Sequence, residues 1–151
     1  MMLGVRTRFI CAAVSLVISW MLFHGYVAAL LWMRGDGFLR GGSPAVAEGY
    51  YRRALAIDPD SRDALDRLLF ASIEQKKQPD LDDAILEGDR YLARHPEAVE
   101  IRASRALAMF VAHRNRSAAS EFSWLASRLR DERFTKLAVI ARMREAEDKR
   151  T

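Results

Sequence analysis

The amino-acid sequence predicts an all-α protein in which one N-terminal transmembrane helix leads into a short array of helical hairpins closed by a C-terminal capping helix. Three observations predict it. A run of 25 residues, Phe9 to Met33, contains no Asp, Glu, Lys or Arg. Beyond it, apolar residues recur at helical spacing between short breaks marked by proline or glycine, with no convincing alternating strand pattern. Finally, a set of small and aromatic residues ending in proline returns 37 residues after its first appearance.

The uncharged run would form roughly 37 Å of helix at about 1.5 Å per residue, enough to cross a hydrocarbon core of about 30 Å with some tilt. A signal peptide would be cleaved after a small-residue site such as Val27-Ala28-Ala29. Leu30, Leu31, Trp32 and Met33 prolong the apolar run past that site, which favours an uncleaved anchor. Cys11 lies too close to the N-terminus to be a lipidation site. It is the only cysteine, so no internal disulfide is possible. The expected division is a cytoplasmic tail over 1–8, a transmembrane helix over 9–33, a flexible linker over 34–44, repeats over 45–130 and a capping helix with its tail over 131–151.

The linker reading rests on "RGDGFLRGGSP" with its four glycines and one proline. Ser43 followed by Pro44 resembles a helix N-cap with proline at the first helical position. Helices are then expected over about 44–57, 61–76, 81–94, 97–113, 117–129 and 131–149. Asp58-Pro59 ends the first, and Asp60 or Ser61 caps the second. That second helix buries Leu65, Leu68, Leu69, Ser72 and Ile73 at 3.6-residue spacing. "KKQPD" ends it, Asp80 caps the third, and His95-Pro96 ends the third. The last helix carries Phe134, Leu137, Ala138 and Ala141 on one face and charges on the other, as a solvating cap requires.

Ala47, Tyr51, Ala54 and Pro59 stand at intervals of 4, 3 and 5, and Ala84, Gly88, Tyr91 and Pro96 repeat those intervals. Small residues at such places let the second helix of a hairpin pack closely on the first, and the proline turns the chain into the next pair. "AEGYYRRALAIDP" thereby resembles the tetratricopeptide repeat (TPR) family, whose second helix carries A-x3-F/Y-x2-A-x4-P. The following helix sets Leu65, Leu68, Leu69 and Ser72 at that family's W-x2-L-G-x2-Y positions. The departures are leucine for the tryptophan and the bulky Leu69 at the small-residue place. A third pair, 99–130, has no terminal proline and a register uncertain by one residue, with Ala103, Ala106, Leu107 and Phe110 as its best stripe. The array is expected to begin with half a repeat, because the glycine-rich linker occupies the place of a first helix. The 37-residue spacing exceeds the family's 34, which implies an insertion at "KKQPDLDD".

No catalytic signature is present. His24, His95 and His113 share no metal-ligand spacing, and there is no haem-attachment Cys-x-x-Cys-His or Gly-x-Ser-x-Gly elbow. "GDGFLRG" lacks the strand and third glycine of a phosphate-binding loop. Asp80, Asp82, Asp83, Glu87 and Asp89 read as helix-dipole complements on a solvated face. No metal, cofactor, nucleic acid or small-molecule substrate is therefore expected, and the protein is expected not to be an enzyme.

The net charge of +4 gives little support for nucleic-acid binding, because residues 35–151 hold 21 basic against 20 acidic side chains. Charge is polarised along the chain. Residues 58–100 carry 12 acids and 6 bases, while 101–151 carry 12 bases and 6 acids. The halves either attract each other or meet differently charged partners. Arginine outnumbers lysine 20 to 4, a bias associated with a GC-rich bacterial genome. The short N-terminal tail with Arg6, Arg8 and the α-amino charge favours an N-in orientation. That places the protein in a bacterial inner membrane, single-pass, with its repeats in the periplasm, although Arg34 and Arg40 blunt the positive-inside argument.

The function expected from these features is a non-catalytic, membrane-anchored scaffold for protein–protein interaction or assembly of a membrane or envelope complex. Its partner would be a protein, such as an integral membrane or envelope complex. The resemblance implies an inner groove lined by the first helix of each pair. That assigns Asp63, Asp66, Phe70 and Ile73, then Ile101, Ser104, Ala108 and Val111, unless some of these pack on the last helix instead. Within the membrane segment, Ser19, His24, Gly25 and Ala29 are the expected helix-packing positions. The alternative is a permanent accessory subunit of a multi-subunit membrane complex. In it His24 contacts a haem or chlorin, or stays neutral and hydrogen-bonds a neighbouring helix.

Overall fold

The computed structural model describes residues 3–150, leaving aside the side chains of 3–9, 11, 12 and 21. Among them there are seven helices and no strand: α1 (Leu3–Arg40), α2 (Pro44–Ile57), α3 (Arg62–Gln75), α4 (Gln78–Arg94), α5 (Val99–Val111), α6 (Asn115–Leu129) and α7 (Glu132–Asp148). Consecutive helices are joined by short turns and pack on one another. The odd-numbered helices α1, α3 and α5 also touch in series, forming one layer, with α2, α4 and α6 behind them.

The first element corrects the sequence reading. Residues 34–40 are not a linker but the continuation of the apolar helix, so the array begins with a complete hairpin, α1 on α2. The glycines have separate uses. Gly35 is buried, and a Cβ there would stand 2.6 Å from the Tyr51 ring on α2, so no other residue lets the two helices approach this closely. Gly42, with φ +75°, ends α1. The Ser43 and Gly42 amides reach back to the carbonyls of Phe38 (2.9 Å) and Leu39 (3.0 Å) in a Schellman closure. The one true turn in the stretch is 41–43.

Packing then follows the repeated positions. Ala47, Tyr51 and Ala54 are fully buried, as are Leu68, Leu69 and Ser72 on α3 and Ala84 and Ile85 on α4. Each large apolar side chain so buried contributes about 1.5–3 kcal/mol. Ala28 near the middle of α1 closes against Ala54 and Ala64 in a contact of three small residues. Pro44 starts α2 at its first turn, but the Ser43 hydroxyl makes no cap bond. Ser61, not Asp60, caps α3, accepting from the Ala64 amide at 3.4 Å.

Two further boundaries differ from the sequence reading. α4 starts at Gln78 rather than 81, because Pro79 fits its first turn, where proline lacks only a hydrogen bond that would be unmade anyway. The extra spacing between repeats is thus one added turn of α4, and Asp80 lies inside the helix rather than at its cap. α6 starts at Asn115 rather than 117. In the third pair the structure fixes the register: Ala118, Phe122 and Leu125 are fully buried at the intervals 4 and 3. Arg130, in the left-handed region at φ 54°, ends α6 where the first two units have proline.

Gly88 stands where Tyr51 and Phe122 stand in the other units. The space is taken by the stem of Arg105 from α5, 3.1 Å from where a Cβ on Gly88 would be. The Arg105 guanidinium is held by Asp89 and by Glu121 (2.6 Å). Arg102 shares Glu121 at 3.0 Å and covers the Trp124 ring at 4.2 Å. Replacing Gly35 with alanine is expected to destabilise the fold by about 1–3 kcal/mol through overpacking against Tyr51. Gly37→Ala, with open space around its Cβ position, is the control and should be neutral or better in thermal denaturation.

Candidate functional site

The face shared by α1, α3 and α5 is the candidate site. On α3, a stripe at helical spacing points out of the layer: Asp63, Arg67, Phe70 and Glu74 are all exposed, with Asp66 half-buried beside them. Phe70 keeps 48% of its surface and Leu107 on α5 keeps 38%, so an apolar floor faces solvent between the two helices. Polar bridges tie the helices together on either side of it. Arg67 Nε lies 3.4 Å from the Asp36 carboxylate on α1, and the Ser104 hydroxyl donates to Asp66 at 2.5 Å. Further along, Arg144 of α7 covers the Phe110 ring at 4.3 Å.

Asp36 also accepts the hydroxyl of buried Tyr51 at 2.7 Å. Burial, followed by this hydrogen bond to a carboxylate, pushes the Tyr51 hydroxyl far above its ordinary value, so it stays a protonated donor. One carboxylate therefore receives bonds from behind (Tyr51) and from the next helix (Arg67), fixing the α1 edge of the groove.

Of the expected groove residues, Asp63, Asp66, Phe70 and Ser104 share this face. Ile73 is half-buried and packs on the core. Ile101 and Ala108 are fully buried in that core, which corrects their assignment to the groove: the register turns both inward. Leu107, expected in the buried stripe of the third pair, instead faces solvent, and Arg67 and Asp36, which also line the face, were not singled out from the sequence. Asp36 and the α1 edge were hidden by the linker reading.

On α1, Ser19 and Gly25 are exposed, with nothing near the Gly25 Cβ position, and Ala29 is half-buried. His24 Nδ1 is 2.9 Å from the Trp20 carbonyl one turn back in the same helix, and its ring stacks obliquely on Trp20. Its bond is therefore made within α1 itself. Among the described residues, no group of His, Cys, Asp and Glu is arranged to hold a metal ion.

The charge polarity resolves largely inward. Bases from 101–151 meet acids from 58–100 at Arg105–Asp89, Arg114–Asp82 (2.8 Å) and Arg128–Glu97 (3.3 Å). The halves thus attract each other through Asp82 and Asp89 of the acidic α4 stretch, while Asp83 meets Arg52 of α2 (3.7 Å) and Glu87 meets Arg90 within α4 (2.6 Å). Its outer members face solvent.

A scan of protein-family models finds no match to this chain, and a search of curated proteins finds none either. Solved structures do match. The first TPR domain of human RPAP3 superposes with a TM-score of 0.72 at 14% identity, over 84% of this chain and 98% of that one. The second TPR domain of human RPAP3, solved in complex with the HSP70 peptide SGPTIEEVD, gives 0.66 at 16% identity, over 78% and 98%. The fold of this chain is TPR-like.

At one end of the layer, the Asp60 carboxylate receives His95 (3.0 Å) and Arg94 (2.9 Å) from the next unit. The His95 bond, then that of Arg94, holds Asp60 below the ordinary carboxylate range. Because its folded value is depressed, the stabilisation is present above the unfolded carboxylate value and is lost as pH falls through the folded one. An NMR titration should find Asp60 titrating below 3.8 in the native protein and moving upward in His95→Ala. An unchanged Asp60 in that variant would contradict the pairing.

Proposed function

We propose that this protein is a non-catalytic scaffold, anchored in a membrane by α1, that presents a short TPR-like array to a protein partner. The observation that carries the reading is the double use of α1. Its later half is the first helix of the array, locked by Gly35 and Ala28. Its earlier half leaves Ile10, Val14, Leu16, Val17, Trp20, Leu22 and Phe23 exposed. Among the described residues, this is the one helix long and apolar enough to cross a membrane, with a mean hydropathy of 1.8. A bare apolar face of that size has no covering surface among the described residues, and lipid is the solvent that suits it.

The likeness to the RPAP3 domains supports an interaction role, since the second of these holds a peptide. In this chain the groove offers Phe70 and Leu107 as an apolar floor, with Asp63 at the end nearer the apolar half of α1. Such a surface suits a segment carrying apolar anchors and a basic residue. The arginine-rich composition argues for a bacterial inner membrane, and the short basic N-terminal tail for an array on its periplasmic side, with a membrane or envelope complex as the partner. A permanent place within such a complex is the second reading. It is favoured by exposed Ser19, a small residue among exposed Leu16 and Phe23, which leaves a face of α1 free for a neighbouring transmembrane helix.

Affinity capture from membranes should recover a defined partner with the natural chain. Phe70→Ala and Leu107→Ala together should weaken that capture by about tenfold or more, the effect of removing a small hot spot, while leaving helicity and melting unchanged. Equal recovery with the double variant would place the interaction elsewhere.

A further inference from the structure

α1 is apolar for longer than the part of it that lipid can reach. Asp58 and Ile57, at the end of α2, line one cleft with Trp20, His24 and Gly25 of α1. Asp58 is thus beside His24, well inside the 25-residue uncharged run, and its carboxylate accepts the Asp60 amide at 3.2 Å with no cation at hydrogen-bond distance among the described residues. A carboxylate does not sit in hydrocarbon without a partner, so the hydrocarbon must end before His24. The uncharged residues left to it, Phe9 to Phe23, make about 22 Å of helix, against a core of about 30 Å. Tilting would shorten their reach further. The mismatch is of the kind a membrane meets by thinning around a short span, which draws whatever borders the span onto the bilayer.

What borders it is one edge of the array. Alternate turns of an antiparallel stack fall at the same end. The α2–α3 turn beside His24 is joined to the α4–α5 turn by Arg94, which bonds Asp60 and the Pro59 carbonyl (3.1 Å), and by His95. The α4–α5 turn is joined to the end of α6 by Arg128 and Glu97. The opposite turns, at 41–43, 76–77 and 112–114, lie a helix length away, about 20 Å for 14 residues.

Resting on the reading that α1 spans the membrane, we propose that this edge, the turns at 58–61 and 95–98 with the end of α6, is seated in the phospholipid headgroup layer. The partner it fits is a zwitterionic headgroup surface. Asp60 with Arg94 and Glu97 with Arg128 are paired along the edge, so it presents charges of both signs with no large net field. Trp20 and Tyr26, both exposed, flank His24 along α1 about 9 Å apart, where amphipathic rings favour the interface.

The test uses the full chain in phosphatidylcholine vesicles with Cys11→Ser and one new cysteine at a time carrying a fluorophore. Leu16→Cys reports the span, Arg62→Cys and Glu97→Cys report the edge, and Lys77→Cys reports the far turns. A nitroxide on the lipid headgroup is expected to quench more than about half the emission at 62 and 97 and little at 77, given a headgroup layer roughly 5–7 Å deep. A bromine on the acyl chains should quench the label at 16. If 16 is quenched while 62 and 97 match 77, the edge stands clear of the bilayer and the proposal is overturned. If 16 is not quenched either, the membrane-spanning reading itself falls and takes this one with it.

Discussion

The contact on which the rest of the structure depends is the one between Gly35 and the ring of Tyr51. It sets how closely α1 and α2 approach, and that approach buries Tyr51 completely. A buried phenol needs a partner for its hydroxyl, and Asp36, the next residue along α1, supplies it. Asp36 in turn receives Arg67, which brings α3 into place beside α1. Three helices are therefore registered through two consecutive residues. Had α1 stopped at Met33, the Tyr51 hydroxyl would lack its partner, at a cost of about 1–3 kcal/mol, and α2 would lose the part of its α1 contact that Gly35 and Asp36 supply.

The second unit reaches the same packing by a different route. With Gly88 in place of an aromatic residue, the volume between α4 and α5 is filled by the aliphatic stem of Arg105, and the charge at its tip is absorbed by Asp89 and Glu121. Buried ion pairs give little net stability once desolvation is counted, but breaking one is costly. The contribution of this cluster is register: Arg105 fits only where α4 has no side chain. Arg102, sharing Glu121 and lying on Trp124, then ties α5 to α6.

Most of the array was legible in the sequence because its signal is local. The Ala47–Tyr51–Ala54–Pro59 spacing names the face that packs and the point where the helix stops, and α2 and α3 fall within a residue of the expected limits. The third unit was harder because Arg130 ends α6 through a left-handed residue, a conformation that arginine does not advertise, where the first two units use proline. The hidden half of the first unit was misread for a similar reason. Four glycines in eleven residues suggest a loop, yet Gly35 serves a close helix contact and only Gly42 needs a positive φ. That distinction depends on Tyr51, 16 residues away, and local pattern does not carry it. The groove suffered the same limit: a one-residue register error on α5 separates the buried Ile101 and Ala108 from the exposed Leu107.

The absence of a linker between span and array changes what recognition requires. A domain on a flexible tether samples many orientations and loses them on binding, and that ordering offsets part of the contact energy. Here α1 is one helix from its apolar half to the face of the array, so under the proposed function the orientation is set when the chain folds. The stripe from Asp63 to Glu74 spans roughly one helix length above the level of His24, which confines the groove to a layer about 20 Å thick. A segment that is itself held near the same bilayer meets it at high effective concentration, because both are restricted to that layer. A freely diffusing peptide has no such advantage. If α1 spans a membrane as proposed, rigid continuity selects for partners that share it, before any side chain in the groove is consulted.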